Sequence, residues 1–383
     1  MTYPLHLNVV GRRVLVVGAG PVAVRRVQGL LAAGALVEVV AFDVDEQMPP
    51  VPLQRRAFSE GDLDGAWLVH ACTGVVDGEV AALCEQRGIW CARADDATLS
   101  RAWVPAVARV DDVVISVTAG RDPRRGVVLR DAVALAVDSG QLPLRRRRSG
   151  PGSVALVGGG PGDPGLLTVR GRQLLAAADV VVRDRLAPTV ELPADVEVID
   201  VGKQPGGASY DQRAIEHLLV ARARAGQRVV RLKGGDVHLF ARGIEEVAAC
   251  RDAGLPVEVV PGVSSAFAAP AAAGIAVTAR GVTQSVTVVS AHLSPEDPGS
   301  TIDWPALARL GGTIVLLMAA GRLPAVCASL LAGGLSPDTP LAVVRDATLP
   351  SQHVQVATVG TARGLDVRAP SVVVIGDVVD ARR

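Results

Sequence analysis

Two glycine-rich loops are the stretches of this chain whose residue types and spacing could do chemistry. One spans residues 18–23 and includes Gly18 and Gly20; the other is Gly234-Gly235-Asp236. Each loop directly follows an apolar run that predicts a β-strand. Glycine at a strand end lets the backbone approach a ligand closely because no Cβ intrudes, and ligands of open α/β sheets bind at that end. Each loop therefore predicts a site for a charged small molecule, with a tight structural turn as the alternative.

The first loop has the spacing G-x-G-x-x-A of a dinucleotide-binding turn. It lies between a predicted strand, residues 13–17, and a helical stretch that reaches Ala33. Asp43 closes a second predicted strand about 20 residues after the loop, where a carboxylate can hold a ribose hydroxyl. Backbone N–H groups and the helix dipole at a helix N-terminus favour the negative charge of a pyrophosphate. The pattern therefore favours a dinucleotide at Gly18 and Gly20 over a structural turn.

The second half of the chain predicts five further apolar strands, each ending in glycine, serine, lysine or aspartate. Asp184, Lys203 and Gly235 follow three of these strands, a glycine loop at 158–165 follows the first, and two serines follow the last. Polar residues clustered at strand ends are the expected signature of a site on a doubly wound parallel sheet. A further α/β portion is predicted from about residue 284 onward.

Length and composition indicate the class of protein. A chain of 383 residues predicts two or three domains at about 150 residues per domain. Nearly half of the residues are hydrophobic and very few are aromatic, which predicts α/β domains whose buried parallel strands are covered by helices. The formal net charge is zero, which argues against bulk attraction to nucleic acid or to a membrane. No apolar stretch approaches the ~18 residues that a membrane span needs.

Cysteine and histidine usage indicates the compartment and argues against a metal site. The five cysteines are odd in number and show no C-x-x-C spacing, which favours reduced thiols in a cytoplasm over disulfides or a zinc site. The first ten residues lack a basic region followed by an apolar core, so we expect no signal peptide. The six histidines are dispersed, and no metal-binding cluster is predicted.

A change of character after Gly120 predicts the domain boundaries. Residues 126–139 predict one helix, and the four consecutive arginines at 145–148 precede a Ser-Gly-Pro-Gly stretch. Without interleaved aromatic residues, these arginines indicate a solvated linker rather than a nucleic-acid site. We expect a Rossmann-type domain at 1–119, a short helical and linker segment at 120–151, and a second domain at 152–383.

Six motifs of the second half occur in a characteristic order. They occupy residues 157–164, 184–186, 202–203, 231–236, 261–265 and 303–304. Together they resemble the uroporphyrinogen-III C-methyltransferases of the tetrapyrrole methylase class, over roughly residue 152 to the C-terminus. The resemblance implies a C-terminal fold of two α/β subdomains. The first half resembles precorrin-2 dehydrogenases, and the order of the two halves is similar to that in siroheme synthases.

The resemblance also implies roles for individual residues. It makes Asp184 the proton acceptor and Lys203 the proton donor of methylation, whereas by themselves either could belong to a surface ion pair. It gives Asp95 the acid–base role in dehydrogenation and chelation, although on spacing alone Asp95 fits an ordinary Asp-rich turn. It places NAD beside Gly18 and Gly20, at Pro21, Val22, Phe42 and Asp43. It places S-adenosylmethionine at Pro161, Gly234, Gly235, Asp236, Leu239, Ser264, Ser265 and Met318, with Ala347 where the family usually has glycine.

The implied reactions are two methylations of uroporphyrinogen III to precorrin-2, oxidation by NAD to sirohydrochlorin, and insertion of Fe²⁺ as a substrate. The tetrapyrrole carries eight carboxylates, for which Arg185 and Arg280 are candidate anchors because guanidinium groups suit carboxylates. The resemblance also implies a homodimer. The segment that joins the halves is shorter than the helical dimerisation region usual in siroheme synthases, which makes chelation the weakest expectation.

Three alternatives remain open from the sequence. The first is a methyltransferase whose first half is a degenerate, NAD-sensing or purely structural module. The second is a nucleotide-responsive regulatory protein without enzymatic activity. The third is a methyltransferase of the diphthamide pathway, which shares the fold of the second half but acts on a protein.

Overall fold

The computed structural model describes residues 3–96, 98–120, 122–142, 152–202 and 210–381. The chain divides into two compact units, Met1–Ala134 and Leu135–Arg383, here called the first and the second unit. The predicted arginine linker at 145–148 lies outside the described residues. None of the helices within the described ranges combines the length and the apolar character needed to cross a membrane.

A parallel five-stranded sheet forms the centre of the first unit. Its strands and helices are β1 (Arg13–Val17), α1 (Pro21–Ala32), β2 (Leu36–Val40), β3 (Leu53–Gln54), β4 (Leu68–Ala71), α2 (Asp77–Gln86) and β5 (Trp90–Arg93). The strand order is β3-β2-β1-β4-β5, and all four neighbouring pairs are parallel. The order reverses between β1 and β4, and such a reversal opens a crevice beyond the strand ends. The first glycine loop follows β1 and therefore lies at this crevice.

A hairpin and most of a long helix complete the first unit. The hairpin consists of β6 (Ala106–Val110) and β7 (Val113–Val117), which pair antiparallel, and the helix is α3 (Pro123–Asp138). The Arg130 guanidinium donates to the Val107 carbonyl at 3.5 Å, so α3 packs beside the hairpin. The sequence predicts α3 to within three residues at its start and one at its end, but β3 and β6 are absent from the prediction.

The first sheet of the second unit is also fully parallel. Its elements are β8 (Ser153–Gly158), α4 (Val169–Ala177), β9 (Val180–Arg183), β10 (Glu197–Asp200), α5 (Gln212–Arg224), β11 (Arg228–Lys233), α6 (Gly243–Asp252), β12 (Val257–Val260) and α7 (Ser265–Ala272). The strand order is β10-β9-β11-β8-β12. Separate apolar clusters cover its two faces, which explains why β8, β9 and β11 are so rich in valine and leucine.

A second, mixed sheet follows in the same unit. Its elements are β13 (Val286–Ser290), α8 (Trp304–Leu310), β14 (Thr313–Leu317), α9 (Leu323–Ala332), β15 (Pro340–Arg345), β16 (His353–Thr358) and β17 (Ser371–Ile375). The order is β13-β14-β17-β15-β16, in which only β13 and β14 pair parallel. The second α/β portion predicted from about residue 284 is therefore confirmed.

Helix caps show where the sequence prediction of helix starts fails. A helix that begins at Leu166 with Asp163 as its cap is expected from the sequence. Instead, Asp163 caps a short 3₁₀ turn by accepting from the Gly165 N–H at 2.7 Å. Thr168 then caps α4 by accepting from the Gly171 N–H at 3.1 Å. Proline within the loop favours this extra turn because it fixes the backbone φ angle.

Candidate active site

The first glycine loop is tight at one glycine and open at the other. Gly18 has a φ of +101°, and a Cβ there would lie 2.7 Å from the Cys72 carbonyl oxygen. Gly20 is the N-cap of α1, and apart from its chain neighbours no atom of the described residues lies within 4 Å of the place where its Cβ would be. The loop therefore leaves open space in front of the α1 N-terminus, where backbone N–H groups can bind an anion.

Phe42 and Asp43 lie at the same edge of the sheet as this loop. The Gly18 N–H donates to the Val40 carbonyl at 2.9 Å, which joins the loop to the end of β2. Phe42 and Asp43 follow β2 within three residues, and both side chains are exposed. β2 ends two residues earlier than the sequence predicts. The predicted NAD-binding residues are nevertheless brought to one edge of one sheet.

Asp95 has a partner that sequence reasoning missed. Arg93 ends β5, and its guanidinium binds both Asp95 oxygens, Nε to Oδ1 at 2.9 Å and Nη2 to Oδ2 at 2.6 Å. These hydrogen bonds hold the pKa of Asp95 below its usual value. The signal for this pair was available, because the two residues are only two positions apart. Asp95 is thus an oriented carboxylate at neutral pH.

In the second unit, glycines bring three strand ends into backbone contact. The Gly235 N–H donates to the Gly160 carbonyl at 2.7 Å, and the Gly160 N–H donates to the Gly235 carbonyl at 3.1 Å. A Cβ on Gly158 would overlap the backbone of Gly262, and a Cβ on Gly262 would overlap the Gly235 carbonyl. The ends of β8, β11 and β12 can meet this closely only because these positions lack side chains.

The Asp236 carboxylate holds this arrangement together. Its Oδ1 accepts from the backbone N–H groups of His238 and Leu239, at 2.8 and 3.1 Å, and its Oδ2 accepts from the Gly262 N–H at 3.2 Å. Burial raises the pKa of Asp236, but these backbone donors outweigh burial and leave the pKa below its usual value. Asp236 therefore joins two of the loops, and its predicted contact with a cofactor stays a prediction.

The loop that follows β15 packs against the loop that follows β8. The Asp163 N–H donates to the Thr348 hydroxyl at 3.1 Å, and a Cβ on Gly162 would lie 3.0 Å from the Leu349 side chain. Ala347, in the same loop, is buried in an apolar cluster that Leu239 also contacts. The predicted residues Pro161, Leu239 and Ala347 thus lie on segments that pack together.

The predicted serines and methionine lie beside these segments. The Ser264 hydroxyl caps α7 by accepting from the Ala266 N–H at 3.2 Å. The Ser265 nitrogen lies 3.8 Å from the place of a Cβ on Gly235. Met318 directly follows β14, whose last residue, Leu317, belongs to the same apolar cluster as Ala347. The strand ends predicted to bind one ligand are therefore neighbours in space.

Backbone strain is concentrated in this region. Within the described residues, six non-glycine residues have a positive φ, and five of them lie in the loops just described or next to them. These five are Phe240, Arg242, Met318, Asp346 and Thr348. Such conformations cost about 1–3 kcal/mol each and occur preferentially at functional sites. The strain and the half-exposed side chain of Met318 favour a site role over core filling.

Asp184, the predicted proton acceptor, lies at the end of β9 beside the glycine loops. A Cβ on Gly234 would lie 2.6 Å from the Leu186 carbonyl, which places the Asp184 segment against the β11 loop. The Asp184 Oδ1 accepts from Arg231 Nη2 at 2.6 Å, and its Oδ2 lies 3.8 Å from Lys233 Nζ. Both cations are buried, whereas about a third of the Asp184 side chain is exposed.

Sequence reasoning missed Arg231 and Lys233 as partners of Asp184. The signal was a pair of basic residues two positions apart in an apolar strand, a spacing that puts both on one face of the sheet. Lys203, the predicted proton donor, lies outside the described residues, so its role stays a prediction. The candidate carboxylate anchors Arg185 and Arg280 are both exposed.

Comparisons with known families and proteins match different families to the first and the second part of the chain. The family of tetrapyrrole (corrin/porphyrin) methylases matches residues 153–363, and an NAD(P)-binding family matches residues 5–106. Siroheme synthase 1 of Yersinia pseudotuberculosis is 35% identical, over 98% of this chain and 94% of the relative. Siroheme synthase of Acinetobacter baylyi is 34% identical, over 99% of this chain and 98% of the relative. These alignments span 444 and 450 positions, so the relatives carry segments without a counterpart in these 383 residues.

Solved structures resemble this chain over about three fifths of its length. Uroporphyrin III C-methyl transferase from Thermus thermophilus is 38% identical with a TM-score of 0.51, over 60% of this chain and all of that one. The same enzyme complexed with S-adenyl homocysteine matches equally well. A cobalt precorrin-4 methyltransferase is 28% identical with a TM-score of 0.54, over 61% of this chain and 99% of that one. By its two units, its relatives and its family matches, the chain belongs to the siroheme synthase family, with an NAD(P)-binding part followed by a tetrapyrrole methylase part.

Proposed function

We propose that the chain makes siroheme in three steps. Its second unit methylates uroporphyrinogen III at two ring carbons with S-adenosylmethionine, giving precorrin-2. Its first unit oxidises precorrin-2 to sirohydrochlorin with NAD and inserts Fe²⁺, which is a substrate. The observation that carries the proposal is the meeting of Asp184, the Gly160–Gly235 pair and the 346–349 loop at one edge, in a chain of this family.

The residues of the second unit fit S-adenosylmethionine. The Cβ position of Gly235 is nearly open, with the Ser265 nitrogen 3.8 Å away, and Leu239 and Ala347 add apolar surface near this loop. The bound cofactor supplies an electrophilic methyl group. The protein would hold the tetrapyrrole carbon beside this group, and such positioning contributes up to ~7–11 kcal/mol to catalysis.

Proton removal follows from the place of Asp184. Methyl addition leaves a surplus proton on the ring, and a carboxylate at the edge of the site can accept it. Arg231 binds Oδ1 of this carboxylate at 2.6 Å, whereas Oδ2 has only the longer 3.8 Å contact with Lys233 Nζ and can accept the proton. General acid–base catalysis of this kind contributes about 10²- to 10⁴-fold in rate. We assign Lys203 the complementary role of proton donor.

The first unit fits NAD at the opening over Gly20. The N-terminus of α1, with Pro21 and Val22 beside it, would hold the pyrophosphate, and Asp43 would hold a ribose hydroxyl. NAD supplies the hydride acceptor, and the protein supplies orientation. Asp95, which Arg93 holds as a carboxylate, would accept the proton that leaves precorrin-2.

We further propose that the protein is a cytoplasmic homodimer that binds neither membranes nor nucleic acid. Its cysteines are all free, as expected in a reducing compartment. Exposed apolar side chains on α3 and the hairpin support a dimer surface; they are Val107, Val114, Val127, Val128, Leu129 and Val133. Sedimentation of the purified protein tests the assembly, because a monomer has a mass of 39.4 kDa.

The activity test uses purified protein with uroporphyrinogen III and S-adenosylmethionine, with and without NAD and Fe²⁺. We expect precorrin-2 without NAD, sirohydrochlorin only with NAD, and siroheme only with both, each identified by absorbance and mass. Methylation that NAD never extends would favour a methyltransferase with a degenerate first unit. No methylation would contradict the proposal and favour a regulator or a methyltransferase with a protein substrate.

A further inference from the structure

Four charged side chains meet at the end of β11, and three of them are buried. This charge quartet consists of Asp184, Arg231, Lys233 and Glu246. Glu246 is fully buried, Arg231 and Lys233 are 2–3% exposed, and only Asp184 reaches solvent. The quartet contains two cations and two anions, so its charges balance.

Glu246 determines the direction in which each cation points. Its Oε1 accepts from Arg231 Nε at 3.1 Å, and its two oxygens accept from Lys233 Nζ at 3.0 and 3.1 Å. Arg231 then has its Nη2 directed at Asp184, and Lys233 Nζ lies within ion-pair distance of the other Asp184 oxygen. Each oxygen of the Asp184 carboxylate therefore faces one buried cationic side chain.

Stability alone explains such a cluster poorly. Buried ion pairs are weak evidence for stability, because well-packed apolar residues of similar volume often do as well or better. The neighbours of these residues along β11, Val229, Val230 and Leu232, are apolar and fully buried. The fold thus accommodates apolar residues here, and the charges require another explanation.

We propose that Arg231, Lys233 and Glu246 are positioning residues that place opposed charges beside the Asp184 carboxylate and hold it in a single orientation for methyl transfer. This inference rests on the proposed role of Asp184 as proton acceptor. The three buried members of the quartet do not contact the substrate, and they influence the reacting atoms only through Asp184.

Other charges around the quartet are engaged elsewhere or exposed. On β9, Arg183 pairs with Asp200 at 2.7 Å. On α6, Glu245 pairs with Arg242 at 2.6 Å at the surface. Further charged groups on the adjoining elements include the exposed Arg185 and the half-buried Glu216 on α5. Burial, and then Arg231, lower the pKa of Lys233, which explains the need for Glu246 beside it.

The proposal predicts opposite effects from removing the two kinds of charge. Glu246→Gln removes the anion that partly neutralises the two cations beside Asp184. This change favours the ionised form of Asp184 and moves the acid limb of the pH profile of kcat to lower pH. Lys233→Met removes one cation and moves that limb to higher pH. Each shift is about one pH unit, the effect expected of one charge within a few ångströms. A purely structural role would lower kcat without shifting the two limbs in opposite directions.

The experiment measures kcat and KM for S-adenosylmethionine against pH in both variants and in wild type. We expect at least tenfold lower kcat at pH 7 for the variants, with KM changed less than threefold. Glu245→Gln is the matched control, since it makes the same change on the same helix in an exposed pair, and we expect its limb to stay within 0.3 pH units, about a twofold effect. If the limbs of both quartet variants stay in place or move together, the inference is overturned.

A second measurement does not depend on activity. In protein labelled with ¹³C-aspartate, the Asp184 carboxyl signal is assigned by its absence from Asp184→Asn, and its titration is followed by NMR. It should shift in the two directions stated above, and an unmoved titration overturns the inference. If wild type fails to methylate uroporphyrinogen III, the proposed function fails, while this titration still reports on the quartet.

A double variant guards against loss of folding in the single ones. Lys233→Met with Glu246→Leu removes one charge of each sign and keeps the volume of the cluster. We expect it to fold, with an acid limb closer to wild type than that of either single variant, because the net charge near Asp184 is restored. A limb displaced as far as in Lys233→Met would contradict the opposed action of the two residues.

Discussion

The glycine loops after β1 and β11 look alike in sequence but form different surfaces. Gly20 is the N-cap of α1, so the first loop leads directly into a helix whose N–H groups face open space. Gly235 instead pairs with Gly160, and the next helix, α6, begins only at Gly243. The first surface suits a pyrophosphate, and the second suits close contact with a less charged ligand. The strand-glycine pattern locates the edge of the sheet, whereas the residues after it determine the ligand chemistry.

His70 in the first unit and the charge quartet in the second unit are buried in different ways. His70 on β4 is 4% exposed, and burial together with Arg26 lowers its pKa to about 4. The second unit instead buries Arg231, Lys233 and Glu246 as a paired group. An ionisable group moved out of water either loses its charge or acquires partners. His70 loses its charge, whereas Arg231, Lys233 and Glu246 acquire partners beside the predicted proton acceptor.

The largest effect should separate the chemistry of the two units. Asp184→Asn keeps the shape of the side chain but removes the proton acceptor, so methylation should fall by about 10²- to 10⁴-fold. Oxidation of supplied precorrin-2 by NAD should be unchanged, because that reaction belongs to the first unit. Rates with each substrate in single-turnover assays measure both effects.

Asp200→Asn is the matched control for this variant. Asp200 ends the neighbouring strand β10, pairs with Arg183 and is exposed, so its loss should leave both rates within about twofold of wild type, as for other exposed ion pairs. Loss of both activities in Asp184→Asn would count against separate sites in the two units.

Elements with strong local signals were predictable from the sequence. β1, β7 and β17 are apolar β-branched runs bounded by turn residues, and their ends match the prediction, as do those of α9. α7 was missed because it is nearly all small apolar residues with Pro270 inside, which gives no helical periodicity. β16 was missed because it is an edge strand whose partly polar residues are half-exposed or exposed.

The candidate site was predictable as a set of strand ends but not as a set of contacts. Any parallel sheet brings its strand ends to one edge, so Asp184 and Gly235 were expected to be neighbours. The pairing of Asp184 with Arg231 depends on β9 lying next to β11, which local patterns do not reveal. The bond from Asp163 to Thr348 joins residues 185 positions apart and depends on how two sheets pack.

A smaller effect tests the contrast between the buried groups. His70 has a native pKa of about 4, below the ~6.5 of an unfolded chain, so the unfolded state binds more protons between these values. The neutral imidazole therefore contributes its full stability above about pH 6.5. That contribution declines as the pH falls toward 4, by about 3 kcal/mol in free energy of unfolding.

Urea titrations followed by tryptophan fluorescence measure this loss, because three of the four tryptophans, Trp67, Trp90 and Trp103, lie in the first unit. His70→Leu should lose most of the dependence between pH 6.5 and 4. His6→Gln, at an exposed position of the same unit, should retain it. Equal slopes in His70→Leu and wild type would show that another group is responsible.

The smallest effect concerns the two glycines of the first loop, which the structure assigns different duties. Gly20→Ala adds a methyl group in the open space before α1, at an ordinary φ of −79°, so the unit should fold normally. The methyl group occupies the place proposed for the pyrophosphate, so NAD affinity should fall about tenfold, or ~1.4 kcal/mol, with methylation unchanged.

Gly18→Ala should instead destabilise the first unit, because its Cβ meets the Cys72 carbonyl at a φ of +101°. Calorimetric titration with NAD and thermal melts distinguish the two, and full NAD affinity in Gly20→Ala would place the dinucleotide away from the helix N-terminus.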